Sequence, residues 1–323
     1  MVTKTIFPSA LLPGETICVI SPAGPVNSDK LSIGVKQLEA WDYKVILAPH
    51  AISNCHYSLS KYHSREDGNP EFSFLAGSDT ERLNDLIDAI QNDEVSGIFC
   101  SRGGYGVLRL LKDFPWRDIA KQPSKAFVGF SDISVFQLVL WDRCKWVTFS
   151  GPQVAMGMSG GVTDRSLQHL LGMLDGSGRT LEWSEGSQII LNTVRSGREV
   201  QGTLLPCNLS MLVCLVGTEF MPDLSGSILC IEDLSEAPYR IDRMFWQLES
   251  AGVLRDIKAL LLGAFTWNDK SIIDEVCKSA LDTFKGYNFS IWYDLPYGHI
   301  EERLTLPVGM IAQISENGIL KLC

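Results

Sequence analysis

Four short runs punctuate the first half of the chain: Thr16 to Ile20, Lys44 to Leu47, Val95 to Cys100 and Lys125 to Phe130. Each is rich in β-branched or aromatic residues, and helical patterns lie between them. Strands that alternate with helices cannot pair as hairpins, so this rhythm dictates a parallel sheet covered by helices, a doubly wound α/β domain. The helix before the third run has a legible start. Ser78 and Glu81 have the spacing of a capping box, and Leu83, Leu86, Ile87 and Ile90 recur as one apolar face.

From Asp175 to Gly202 the pattern changes to Gly, Ser and charged residues around strand-like pieces such as Gln188 to Asn192. This predicts an N-terminal domain over 1–175, a linking region over 176–202 and a C-terminal domain over 203–323. The last of these opens on the apolar stretch Asn208 to Val216. A strand over Ser227 to Glu232 follows, then a helix from about Tyr239 to Ala251 with Ile241, Phe245 and Leu248 inward and Gly252 at its end. Strands at Ala259 to Leu262 and Met310 to Ile314 bracket a helix over Ser271 to Phe284. The C-terminal domain is therefore a smaller α/β unit.

The 323 residues are 45% hydrophobic, enough for a substantial core. No apolar run approaches the roughly 18 residues of a membrane span, and Met1 to Leu12 lacks the basic start and apolar stretch of an export signal. A cytoplasmic protein is expected. The nine cysteines contain no C-x-x-C pair, and Cys18, Cys100 and Cys230 sit inside strand-like runs as buried thiols of a reducing compartment. A net charge of −10 argues against nucleic acid or an anionic membrane surface as the main partner and in favour of a small or peptide-like ligand.

Ser131 stands between the strand Lys125 to Phe130 and the helical stretch Asp132 to Leu140. Strand, sharp turn, helix is the layout that lifts a serine hydroxyl above the carboxyl edge of a parallel sheet and aims the next backbone N–H at an oxyanion. The G-x-S-x-G spelling is absent, because Gly129-Phe130-Ser131-Asp132-Ile133 has no glycine after the serine. From this segment alone, Ser131 or Asp132 serves equally well as a helix cap. After the third strand comes Ser101-Arg102-Gly103-Gly104-Tyr105-Gly106, opening a helix over Val107 to Leu111. It lacks the lysine and hydroxyl of a P-loop and the spacing of a dinucleotide fingerprint, and a tight turn without function is its plain alternative. Because both loops leave the same sheet edge, the Gly103 or Gly104 amide is a candidate second oxyanion donor beside Asp132.

Five histidines are available as the base. His169 falls on the expected helix Asp164 to Leu174 in a structural position, and His50, His56 and His63 lie in a polar connection without zinc-site spacing. His299 follows Leu295-Pro296-Tyr297-Gly298, a strand end and turn of the kind that carries functional side chains. The orienting acid is less determined: Glu232 ends an apolar strand, and Asp233, Glu236 and Asp242 compete nearby.

Taken together, Ser21-Pro22-Ala23-Gly24, Leu75-Ala76-Gly77-Ser78-Asp79, Arg102-Gly103-Gly104-Tyr105-Gly106, Gly129-Phe130-Ser131-Asp132, Glu232-Asp233 before Tyr239-Arg240-Ile241-Asp242-Arg243, and Gly298-His299 before Leu304-Thr305-Leu306-Pro307 resemble the LD-carboxypeptidase family. This family includes muramoyl tetrapeptide carboxypeptidases and microcin C immunity peptidases, and the resemblance covers nearly the whole chain. It implies a flavodoxin-like N-terminal domain, a β-rich C-terminal α/β domain, an active site between them, and a homodimer. It further implies a Ser131, His299 and Glu232 triad that needs no metal or organic cofactor. The chain departs from the family pattern at Pro206-Cys207, where two glycines usually precede Asn-Leu, and at Arg303, where Asn is frequent. The expected activity is hydrolysis of an L,D-peptide bond to a terminal D-amino acid. The alternatives are an immunity-type peptidase acting on peptidyl or aminoacyl nucleotides, with Trp183 as a stacking lid, and a non-catalytic binding protein.

Overall fold

The computed structural model describes residues 5–52, 72–177, 182–183, 187–195 and 199–323. The chain divides into two compact units, Ile6–Gly161 and one built on Val162–Cys323.

The first unit runs β1 (Thr16–Ile20), α1 (Ser28–Ala40), β2 (Lys44–Leu47), α2 (Asp79–Gln91), β3 (Gly97–Cys100), α3 (Trp116–Ile119), β4 (Ala126–Gly129), α4 (Ser134–Cys144) and β5 (Thr148–Ser150). Its strands pair in the order β2-β1-β3-β4-β5, and every pair is parallel. That is the flavodoxin-like order, which places the topological switch between β1 and β3 and opens a crevice outside their carboxyl ends. β3 and β4 are wholly buried, as a sheet covered on both faces requires, while β2 lies at the edge.

The capping box of α2 forms as expected: Glu81 N–H donates to Ser78 Oγ at 3.2 Å, and Ser78 N–H donates to Glu81 Oε2 at 2.8 Å. The buried face of α2 is turned from the expected one. It carries Arg82, Asp85, Leu86, Ala89 and Ile90, while Leu83 and Ile87 are half-buried. Arg82 is accommodated because its guanidinium donates to Pro22 O, to Gly106 O at 3.1 Å and to Asp79. Asp85 accepts from His50 N–H at 2.9 Å and its other oxygen lies 2.8 Å from His50 Nδ1. Paired polar groups thus occupy positions that apolar periodicity reserves for hydrocarbon.

The second unit contains α5 (Asp164–Asp175), β6 (Glu182–Trp183), β7 (Ser187–Ile190), β8 (Asn192–Arg195), β9 (Val200–Asn208), α6 (Leu209–Leu215), β10 (Ser227–Leu234), α7 (Pro238–Ser250), β11 (Ala259–Trp267), β12 (Lys270–Ser271), α8 (Ile273–Thr283), β13 (Ser290–Tyr293), β14 (Leu306–Val308), β15 (Ile311–Ile314) and β16 (Ile319–Leu322). The sheet follows β6-β7-β16-β15-β9-β10-β11-β13-β8, with β12 paired to β11. Its centre, β9 to β13, is parallel, and both flanks are antiparallel. The mixed α/β, strand-rich character matches expectation.

The boundary does not. It falls after Gly161 rather than at 175, and the stretch 176–202 contributes β6, β7 and β8 to the second unit's sheet. Helix α5 belongs here because it buries Leu167, Leu170, Met173 and Leu174, and because Arg303 N–H donates to Ser166 Oγ at 2.8 Å. Gly and Ser content suggests a linker, but short edge strands need little apolar sequence of their own.

No helix among the described residues is long and apolar enough to cross a membrane. The described cysteines are free, and Cys18, Cys100, Cys144, Cys207 and Cys230 are buried.

Candidate active site

Ser131 opens the turn from β4 into a short 3-10 segment, Ser131–Ile133, that leads into α4. Its φ of 63° lies in the left-handed region that a residue with a side chain seldom adopts. Strain of this kind persists only where the surroundings fix it, and at a strand-to-helix turn it is the feature a nucleophile elbow would show. A methyl group on Gly129 would stand 2.4 Å from Ile133 Cγ2, so the glycine lets the turn fold back beneath it. Ile133 therefore packs where the common spelling of this elbow has a second glycine.

The glycine loop lies against this turn. A Cβ on Gly103 would come within 3.0 Å of Ser131 Cβ and 3.3 Å of Asp132 N. Gln153 clamps both pieces: Gly103 N–H donates to its Oε1 at 3.0 Å, and its Nε2 donates to Phe130 O at 3.1 Å. The Gly103 amide, one of the expected oxyanion donors, thus already points at Gln153. Gly104, with φ 115°, requires glycine, and Asp132 follows the serine directly. The Asp132 carboxylate holds the far end of the loop, accepting from Val107 N–H at 3.0 Å. Burial pushes this acid up to about 6, while the Val107 bond and the Arg82 charge act the other way. Val107–Leu110 is a 3-10 turn rather than the expected helix.

In the second unit, Glu232 lies in β10 with no solvent exposure, and its Oε2 is 2.7 Å from His299 Nδ1. Since an ionised carboxylate only accepts, Nδ1 carries the proton and donates, which leaves Nε2 as the basic nitrogen. Asn208, at the end of β9, donates through Nδ2 to Glu232 Oε1 at 3.1 Å and to Asp233 Oδ1 at 3.1 Å. Strand pairing sets Asn208 opposite Glu232. Asp233 is turned away from the histidine: its Oδ2 accepts from Ser210 N–H at 2.9 Å and Ser210 Oγ at 2.6 Å. Burial raises Asp233, the Ser210 bond opposes this, and the Glu232 charge adds to it. Of the competing acids, then, it is Glu232 that bonds His299.

The His299 turn is fixed from behind. Gly298 has φ 142°, a Cβ there would meet Ala264 Cβ at 2.8 Å, and Arg303 Nη1 donates to Gly298 O at 3.2 Å. Burial lowers Arg303 and the Glu232 charge counteracts that. His169 Nδ1 accepts from Thr305 N–H at 3.1 Å, a structural role, and burial holds it down to about 4. His50 is tied to Asp85. His56, His63 and the side chain of Trp183 lie outside the described residues. Among the described residues no cluster of three or more His, Cys, Asp or Glu side chains could hold a metal ion.

Three partners escaped sequence reasoning. Gln153 and Asn208 act through amide groups that no spacing rule marks, and Arg82 hides on an apolar helix face. Strand pairing between Asn208 and Glu232 is the only signal that would have found one of them.

Two family models match the chain. One, described as the LD-carboxypeptidase N-terminal domain, covers residues 17–151, and the other, the LD-carboxypeptidase C-terminal domain, covers 201–314. A putative carboxypeptidase of Streptomyces coelicolor is 32% identical over 99% of this chain and 96% of that protein. The murein tetrapeptide carboxypeptidase of Pseudomonas aeruginosa is 29% identical, covering 93% of each. Among solved structures, the muramoyltetrapeptide carboxypeptidase from Oxalobacter formigenes is 32% identical with a TM-score of 0.74, covering 95% of this chain and 97% of that one. The microcin C7 self-immunity protein MccF has a TM-score of 0.79 at 19% identity over 98% and 97%, a likeness of fold.

Proposed function

This chain belongs to the LD-carboxypeptidase family of serine peptidases, and from that premise we propose that it hydrolyses the L,D-peptide bond to a terminal D-amino acid in a muramoyl tetrapeptide. The observation that carries the reading is the 2.7 Å hydrogen bond between His299 and the fully buried Glu232. A buried carboxylate that fixes one tautomer and favours the imidazolium is what a serine nucleophile requires of its base.

In the proposed mechanism His299 Nε2 takes the Ser131 proton as Oγ attacks the scissile carbonyl. The tetrahedral oxyanion is held by the Asp132 and Gly104 amides, the Gly103 N–H being engaged by Gln153. Collapse breaks the C–N bond, and His299 returns its proton to the departing D-amino acid. Water, deprotonated by the same nitrogen, then releases the acyl group and restores Ser131. No step calls for a metal or an organic cofactor. The buried thiols support a cytoplasmic location, and family membership supports a homodimer.

One observation favours a second substrate class. Phe72 and Phe74 stack with centroids 4.9 Å apart, Tyr105 of the glycine loop meets Phe74 edge-on at 5.6 Å, and Phe74 and Tyr105 are exposed. Exposed rings beside the glycine loop suit a nucleobase, as in aminoacyl nucleotides. Release of a free D-amino acid from muramoyl tetrapeptide, measured against hydrolysis of an aminoacyl sulfamoyl adenosine, tests both readings. Faster turnover of the nucleotide would displace the carboxypeptidase assignment. Stoichiometric labelling of Ser131 by a serine-directed phosphonate separates either enzyme from a binding protein.

A further inference from the structure

A peptidase that removes a terminal residue must read the free carboxylate at the end of its substrate, and neither half of the machinery described above does so. The chain as a whole repels an anion, with a net charge of −10, so a local cation is required.

Among the described residues, three arginines lie near the carboxyl edge of the first unit. Arg82 and Arg109 are both committed to Asp79: Arg109 binds it through Nε at 2.8 Å and Nη2 at 2.6 Å, and Arg82 binds it through Nη2. Burial acts to raise Asp79, but the Arg109 bonds and the Arg82 charge outweigh it and hold the acid below its ordinary range. Arg102 is different. It forms no ion pair among the described residues. Its Nη1 donates to Pro25 O at 3.1 Å, and its Nε is buried without a hydrogen-bond partner. The side chain as a whole is only half-buried, so the guanidinium keeps donors beyond the Nη1 bond that a ligand can reach.

The position of Arg102 is also the one expected of a ligand group. It leaves the end of β3, at the switch between β1 and β3 where doubly wound sheets take their ligands. The loops after these two strands are joined there: Ser21 Oγ and Ser101 Oγ are 2.6 Å apart, and Gly24 N–H donates to Gly103 O at 3.3 Å. The guanidinium lies along this junction. A methyl group on Gly24 would stand 3.7 Å from Arg102 Nε, and one on Gly104 would stand 3.6 Å from Nη2. The adjacent residue, Gly103, abuts Ser131 Cβ. A planar cation with spare donors is therefore held one residue from the loop that touches the candidate nucleophile, and its fork suits a carboxylate.

We propose that Arg102 is the receptor for the free α-carboxylate of the D-residue that is removed, and that it thereby makes the enzyme an exopeptidase. This deepens the carboxypeptidase reading and rests on it. Arg102 donates to the carboxylate from the side of the glycine loop, and a substrate whose terminus is amidated leaves the cation unsatisfied.

The test compares a muramoyl tetrapeptide with its C-terminal amide on wild type, Arg102→Lys and Arg102→Met. Wild type should prefer the acid by about 10²-fold in kcat/KM, the worth of a charge-assisted pair. Arg102→Met should reduce that ratio to within a few-fold, chiefly through KM for the acid, and Arg102→Lys should keep part of it. A ratio undiminished in Arg102→Met, or an equal loss on both substrates, overturns the proposal. Calorimetric binding of the same two peptides to Ser131→Ala and to Ser131→Ala/Arg102→Met decides the point independently of turnover. If wild type hydrolyses neither peptide, the carboxypeptidase reading fails. Arg102 then stands or falls on whether Ser131→Ala prefers the acid and the double variant does not.

Discussion

Glu232 Oε2 lies 2.7 Å from His299 Nδ1, while the neighbouring Asp233 directs its carboxylate at Ser210. Both carboxylates accept from Asn208 Nδ2, but Asp233 commits its other oxygen to Ser210, and Glu232 is the one bonded to the histidine. Glu232→Gln should lower kcat by about 10³- to 10⁴-fold at little change in KM, because an amide neither enforces the tautomer nor stabilises the imidazolium. Asp233→Asn should cost far less. Steady-state kinetics on both variants decide it, and the reverse ranking would transfer the role to Asp233.

The strained backbone at Ser131 separates activity from stability. With φ at 63°, replacement by glycine relieves the left-handed conformation and should raise unfolding stability by about 1 kcal/mol, less the added flexibility of the unfolded chain. Ser131→Gly and Ser131→Ala should both lower kcat by about 10³-fold or more, while Ser131→Ala keeps the strain and gains nothing in Tm. A melting comparison of the three proteins checks the ordering. Near-normal turnover of either variant would remove Ser131 from the mechanism.

How much of this was legible in the chain depended on which groups do the work. β1 and β2 fall where β-branched runs place them, and the Ser78 capping box forms because its partners are three residues apart. The assignment of Ser131, Glu232 and His299 rests on a family resemblance, since nothing local in the sequence distinguishes Glu232 from Asp233. Long-range amide contacts were not readable. Gln153 reaches Gly103 across 50 residues, and Asn208 reaches Glu232 across 24, by strand order that periodicity does not encode. The division after Gly161 has a related cause. α5 is held to the second unit by the hydroxyl of Ser166, which bonds the backbone of Arg303.

His299 must be neutral to accept the Ser131 proton, so kcat/KM should fall on acidification as it takes up a proton. The limb should vanish in His299→Gln together with most of the activity, and should remain in His169→Asn. Arg303, buried beside Glu232, holds the His299 turn through its bond to Gly298 O. Arg303→Met should therefore lower kcat by releasing that turn, with Arg303→Lys closer to wild type. These profiles should be unchanged by a chelator. A limb that survives in His299→Gln with substantial turnover would reject His299 as the base.

His169 and Asp132, one in each unit, are perturbed in directions that give opposite pH responses. His169 is held at about 4 against an ordinary 6.5, so below pH 6.5 the unfolded chain binds a proton that the folded one refuses. Its unit loses stability as pH falls from 6.5 toward 4, by up to about 3 kcal/mol. Asp132 is raised to about 6 from 3.8, so the folded state holds a proton that the unfolded chain has released. That contribution is complete below 3.8 and is lost as pH rises through 6, by a similar amount of about 3 kcal/mol. Between pH 6.5 and 4.5, then, acidification through His169 should weaken the structure around α5, and through Asp132 should strengthen that around α4. Hydrogen exchange at α5 and at α4, followed across this range, reads the two separately. The α5 trend should flatten in His169→Asn and the α4 trend in Asp132→Asn. Parallel changes of both helices in wild type would show that these two groups do not set the pH response.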